Sequence, residues 1–113
     1  MSRQIERRIN MAREIDFNEY QELVKGDKMV LIDFFATWCG PCKMLAPVIE
    51  QIANEHSEME VVKVDVDKVA ELAVLYNVAS IPTLVFIKDG KCVNEHVGFA
   101  TKAEIEAMIE ECK

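Results

Sequence analysis

The spacing of apolar side chains along the chain switches repeatedly between a period of about 3.6 residues and a period of 2, the marks of helix and strand. Phe17, Tyr20, Leu23 and Val24 recur at helical spacing. Asp16 and Glu19 make a capping-box-like start before them and Lys25-Gly26 closes the segment, so a short amphipathic helix is predicted. The next run, MVLIDFF (29–35), is apolar except for Asp33, the pattern of a strand buried on both faces in the middle of a sheet. From about Cys39 to Glu55, the residues Leu45, Val48, Ile49, Ile52 and Ala53 trace one helical face, and Pro47 within that span predicts a kink. In EVVKVDV (60–66), Val62, Val64 and Val66 alternate with Lys63 and Asp65 as in a strand. Asp67 then reads as the N-cap of a helix with Val69, Leu72, Ala73 and Tyr76 on one face.

The segments TLVFIK (83–88) and KCVNEHV (91–97) flank Asp89-Gly90, the signature of a two-residue antiparallel hairpin. Thr101 and Glu104 form a capping box ahead of Ile105, Met108, Ile109 and Cys112, which predicts a final helix. Residues 9–14 offer a weak edge strand. Helices and strands alternate early and a hairpin closes the sheet late. The expected fold class is therefore α/β: a mixed sheet of five strands, or four without the weak edge, flanked by helices on both faces.

Composition narrows the function. With 113 residues, half of them hydrophobic, the chain fits one domain with a modest core and one site. We expect that domain to span 9–113, with 1–8 as a poorly ordered extension; the sequence does not decide whether Met1 or Met11 is the start. A net charge of -7, from 20 acidic and 13 basic residues, provides no footprint for phosphate backbones or anionic lipids, so neither nucleic acid nor membrane is an expected partner. The N-terminal MSRQIERRINMAREID has no apolar core of a secretory signal, and Glu6 and Glu14 among Arg3, Arg7, Arg8 and Arg13 break the acid-poor pattern of a transit peptide. A cytoplasmic monomer is the expectation.

Within FFATWCGPCKML (34–45), Cys39 and Cys42 are separated only by Gly40 and Pro41. Such a pair serves as a structural disulfide, as half of a metal site, or as a couple that opens and closes as its chemistry. Cytosolic thiol pools keep structural bridges reduced, which disfavours the first. Neither His56 nor His96 has ligand spacing to another His or Cys and no second C-x-x-C occurs, which disfavours the second. Cys39 falls where a buried strand turns into a helix, and there the free N–H groups and the positive end of the dipole favour a thiolate. It is the expected attacking thiol, and Cys42, one turn deeper, the thiol that resolves the mixed disulfide. Cys42 must lose its proton for that step. Asp33, a carboxylate in an apolar strand, should have a raised pKa and is the candidate proton acceptor, with Lys63 on the neighbouring strand as its partner. Cys112 continues the apolar face of the last helix and reads as a buried thiol. Cys92, sharing a face with Asn94 and His96, is expected to be exposed.

WCGPC (38–42), Asp33, Lys63, the SIPT stretch (80–83) and Gly98 in HVGF together resemble the thioredoxin family over nearly the whole chain. The resemblance implies Cys39 as nucleophile and Cys42 as resolving thiol, with Asp33 and Lys63 beneath them. It makes Pro82 a cis-proline facing the disulfide, so that Ile81 presents its backbone to an extended substrate segment. It places a shallow substrate surface around Trp38, Gly40, Pro41, Ile81, Pro82 and Gly98. It further implies a protein disulfide reductase with no bound cofactor or metal, recharged by a thioredoxin reductase that uses NADPH. No G-x-G-x-x-G occurs here, so the hydride chemistry would belong to that partner. Phe35 stands where many relatives have a second Trp, and Ala79-Ser80 depart from the bacterial pattern before Ile81. An oxidant or isomerase, and a non-catalytic binding module, are the rival readings.

Overall fold

A computed structural model describes residues 11–113. Its elements follow one another as β1 (Arg13–Glu14), α1 (Phe17–Val24), β2 (Val30–Phe35), α2 (Gly40–Glu55), β3 (Glu60–Asp65), α3 (Ala70–Leu75), β4 (Thr83–Lys88), β5 (Lys91–Val97) and α4 (Lys102–Glu111). The five strands form one mixed sheet in the order β1-β3-β2-β4-β5. β3 pairs in parallel with both β1 and β2, whereas β4 runs antiparallel to β2 and to β5. Within the described part of the weak edge expected at 9–14, the strand is Arg13–Glu14, opposite Val62 and Lys63, and residues 9 and 10 lie outside the described residues. The expected extension at 1–8 lies outside the described residues.

Local chemistry sets the element ends. At α1, Glu19 N–H donates to Asp16 at 2.9 Å while Asp16 N–H donates to Glu19 at 3.2 Å, so both halves of the capping box form. Thr101 and Glu104 repeat the arrangement at α4, with bonds of 2.8 and 3.1 Å. The hairpin turns through Asp89 at φ 54 and Gly90 at φ 77, both left-handed, which matches the twist of the two strands it joins. Helix α2 runs through Pro47, whose ring nitrogen leaves the Lys43 carbonyl without its usual helical donor.

One expected cap is wrong. α3 begins at Ala70 with Val69 as its N-cap and no side-chain cap bond. The N–H groups of Lys68 and Val69 both donate to the Asp65 carbonyl, at 3.1 and 2.9 Å, so a turn intervenes and Asp67 lies two residues short of the cap.

The pleat divides the core in two. Val30, Ile32 and Phe34 of β2 pack with Val62, Val64, Val85, Ile87, Tyr20 of α1 and Leu72 of α3. On the opposite face, Leu31, Leu84 and Phe86 pack beneath Leu45, Ile49 and Ile52 of α2 and Ile105 and Ile109 of α4. Asp33 follows Leu31 by two positions and therefore faces the α2 side.

Candidate active site

Strand β2 ends at Phe35, and a short turn through Trp38 delivers Cys39 to the start of α2. Cys39 has extended backbone geometry (φ -91, ψ 114) and is the N-cap of the helix; the Cys42 N–H donates to its sulfur at 3.2 Å. A thiol sulfur thus takes the place that a Ser or Asp oxygen usually holds at a helix start, and no acidic residue lies in the first turn to oppose negative charge there. Cys39 and Cys42 are joined by a disulfide, with Cα atoms 5.3 Å apart, well within the range that a bridge spans. Both cysteines are buried, and with Ala36 they form a small cluster against Phe35, Val66 and Ile81.

Cys39 Sγ lies 3.9 Å from the carbonyl oxygen of Ile81, and the Ile81-Pro82 peptide is cis. The Pro82 carbonyl accepts the Gly98 N–H at 2.8 Å, and Gly98, at φ 97, occupies backbone space that only glycine enters freely. Three of the expected surface residues, Ile81, Pro82 and Gly98, are thereby linked. Gly40 and Pro41 are exposed on the first turn of α2. A groove of about 180 Å³ is lined by Trp38 and Ile81 together with Val66, Ala73, Val78, Ala79 and Ser80.

Asp33 is 2% exposed, and its Oδ1 has no hydrogen-bond partner. Burial raises its pKa to about 7, against a smaller downward pull from the Lys63 ammonium. Lys63 is directly opposite Asp33 on β3, as expected, and its Nζ sits 5.4 Å from the centre of the Phe35 ring. A carboxyl group that changes charge near neutrality in an apolar site has the properties of a proton carrier.

The remaining thiols are unlike the pair. Cys92 is exposed on β5, with its Sγ 3.5 Å from the Asn94 carbonyl. Cys112 is buried at the end of α4. Partial desolvation of the sulfur, with the Glu95 charge beside it, raises the Cys92 thiol above the ordinary range and burial raises that of Cys112, so neither is an activated nucleophile. His56 is engaged by two carboxylates, Glu58 and Glu106, each at 3.1 Å, and among the described residues no group of three or more His, Cys, Asp or Glu could hold a metal ion.

Two residues escaped the sequence reading. The indole N–H of Trp38 donates to Asp67 Oδ2 at 2.9 Å, and the Asp67 N–H donates to Asp65 Oδ1 at 2.9 Å. The first contact arises from the sheet: Phe35 lies opposite Asp65, so the turns that follow the two parallel strands emerge side by side.

The thioredoxin family model matches residues 11–111. The chain belongs to the thioredoxin family. Thioredoxin-2 of Saccharomyces cerevisiae is 50% identical over 93 residues, covering 81% of this chain and 88% of that protein. Thioredoxin-1 of Schizosaccharomyces pombe is 44% identical over 101 residues, covering 88% and 97%. The crystal structure of Malassezia sympodialis thioredoxin superimposes with a TM-score of 0.83 at 34% identity, covering 97% of this chain and 96% of that one. The expected thioredoxin fold is thereby borne out, with all five strands. As a member of this family, the chain is a thiol–disulfide oxidoreductase acting on disulfide substrates by dithiol–disulfide exchange, here through Cys39 and Cys42. No described helix is long and apolar enough to cross a membrane.

Proposed function

We propose that this member of the thioredoxin family is a cytoplasmic, monomeric reductase of protein disulfides in which Cys39 is the nucleophile, Cys42 the resolving thiol and Asp33 the proton acceptor. The observation that carries the assignment is the asymmetry of the pair: Cys39 Sγ caps α2 and faces the Ile81 carbonyl, whereas Cys42 sits inside the first turn. The Cys39 thiolate, stabilised by the helix N-terminus, attacks one sulfur of the substrate disulfide and expels the other as a thiolate. A mixed disulfide results. Cys42 passes its proton to Asp33 and attacks Cys39 Sγ, which releases the second substrate thiolate and leaves Cys39 and Cys42 bridged. Two electrons have moved to the substrate. Lys63 holds the Asp33 pKa below the value that burial alone would set.

Trp38, Gly40, Pro41, Ile81, Pro82 and Gly98 receive an extended segment of the substrate, with the Ile81 backbone available for strand-like pairing. Return to the dithiol form falls to a thioredoxin reductase that draws on NADPH, because this chain lacks a dinucleotide-binding fingerprint.

Cysteine variants test the order of events. Cys39→Ser is expected to abolish reduction of a disulfide-bonded protein and to form no mixed disulfide, whereas Cys42→Ser accumulates substrate on Cys39, read by mass spectrometry. Turnover that survives in both variants would refute the mechanism. The reduction potential of the pair should lie below the glutathione pool, about −220 to −260 mV by extraction, and a value well above it would make the protein an oxidant.

A further inference from the structure

Trp38 is 68% exposed although it adjoins the buried Cys39. A ring with so few neighbours gains little from packing in any one orientation, so contacts of dispersion alone do not fix it. Its indole N–H has a fixed destination all the same, the Asp67 carboxylate at 2.9 Å. A bond to a charged acceptor is stronger than one between neutral groups and is directional.

Asp67 is in turn held from beneath. Its N–H donates to Asp65 Oδ1, and Asp65 is 3% exposed at the end of β3. The intervening Val66 donates its N–H to the Phe35 carbonyl at 2.9 Å, which fastens this loop to the end of β2 just before the turn that carries Trp38. The β3–α3 loop is thus a braced support with one side chain, Asp67, extended to the indole. Trp38 also forms one wall of the groove whose other walls include Val66, Val78 and Ile81. Movement of the ring would change the width of that groove next to the reactive disulfide.

We propose that Asp67 is a positioning residue for disulfide exchange: its carboxylate anchors Trp38 and so sets the shape of the passage by which a protein disulfide reaches Cys39. The assignment rests on the reading of the groove as the substrate surface. Asp67 touches no sulfur and transfers no proton. Reduction of the Cys39–Cys42 bridge by a small dithiol, which has no need of the groove, is indifferent to it.

Trp38 is the only tryptophan of the chain, so its fluorescence reports on the anchored ring alone. Asp67→Ala is expected to lower the anisotropy of Trp38 and to raise KM for a protein disulfide about three- to tenfold, with kcat and the rate of reduction by dithiothreitol unchanged. Asp67→Asn retains an oxygen that accepts the indole N–H and should restore both readouts to within about twofold of wild type. In a Trp38→Phe background, which has no N–H to anchor, Asp67→Ala should have no further effect on KM. Unchanged anisotropy in Asp67→Ala, an equal rise in KM in the Phe background, or a parallel fall in the dithiothreitol rate would each overturn the proposal. If wild-type protein reduced no protein disulfide, the substrate reading would fall, while anisotropy would still decide whether Asp67 holds the ring.

Discussion

On the sheet face covered by α1 and α3, the inward positions of β2 and β3 are Val30, Ile32, Phe34, Val62 and Val64, an apolar set buried with Leu72 and Tyr20. On the face covered by α2 and α4, the same two strands place Asp33 and Lys63 side by side. Both faces are built from one pleat, so a single residue's parity decides which kind of surroundings it meets. The first face contributes burial and little else. The second accepts a destabilising carboxylate at the end nearest the cysteines, and the cost of that carboxylate depends on pH.

Asp33→Asn should give the largest pH-dependent effect on stability. The folded carboxyl titrates at about 7 and its ordinary value is 3.8, so between those values the native state keeps a proton that the unfolded chain has lost. Stability therefore falls as pH rises through that window and levels off above it, by roughly 4 kcal/mol in all. Urea unfolding of Asp33→Asn against wild type should show a gain of that order at pH 8 and almost none at pH 4. An equal gain at both pH values would mean that the charge is not its source.

Ile32→Ala, one position along the same strand but on the apolar face, should cost about 2–5 kcal/mol through lost burial and a residual cavity. The cost should be the same at pH 5 and pH 8. A pH-dependent loss would erase the contrast between the faces.

The smallest effect belongs to the far end of α2, where His56 is the C-cap and bonds Glu58 and Glu106. Burial pulls its pKa down, but the hydrogen bonds and charges of Glu106 and Glu58 outweigh it and leave the imidazole raised above 6.5. Its stabilisation is complete below the unfolded value and is lost as pH rises through the folded one. His56→Gln should therefore destabilise by less than about 1 kcal/mol at pH 5.5 and by nothing measurable at pH 9. A loss of the same size at both would point to packing and not to charge.

Much of this was legible in the chain because it is local. Asp33 declared itself as one polar residue in an apolar run, and the caps at Asp16 and Thr101 declare themselves within four residues. The hairpin needed only Asp89-Gly90. Asp67 was misread because its partner, Trp38, is 29 positions away and reaches it only through the parallel pairing of β2 with β3. The cis state of Ile81-Pro82 likewise came from the resemblance, since no periodicity distinguishes a cis from a trans bond.

Transfer of the Cys42 proton to Asp33 is the central step of the proposed mechanism. The direct measurement is the rate at which a preformed Cys39 mixed disulfide is resolved, followed from pH 5 to pH 9 in wild type and Asp33→Asn. Wild type should rise through an inflection near 7; the variant should lack that inflection and be slower by about a hundredfold or more at pH 7.5, the usual worth of a positioned base. Superimposable profiles would contradict the assignment and leave water as the acceptor.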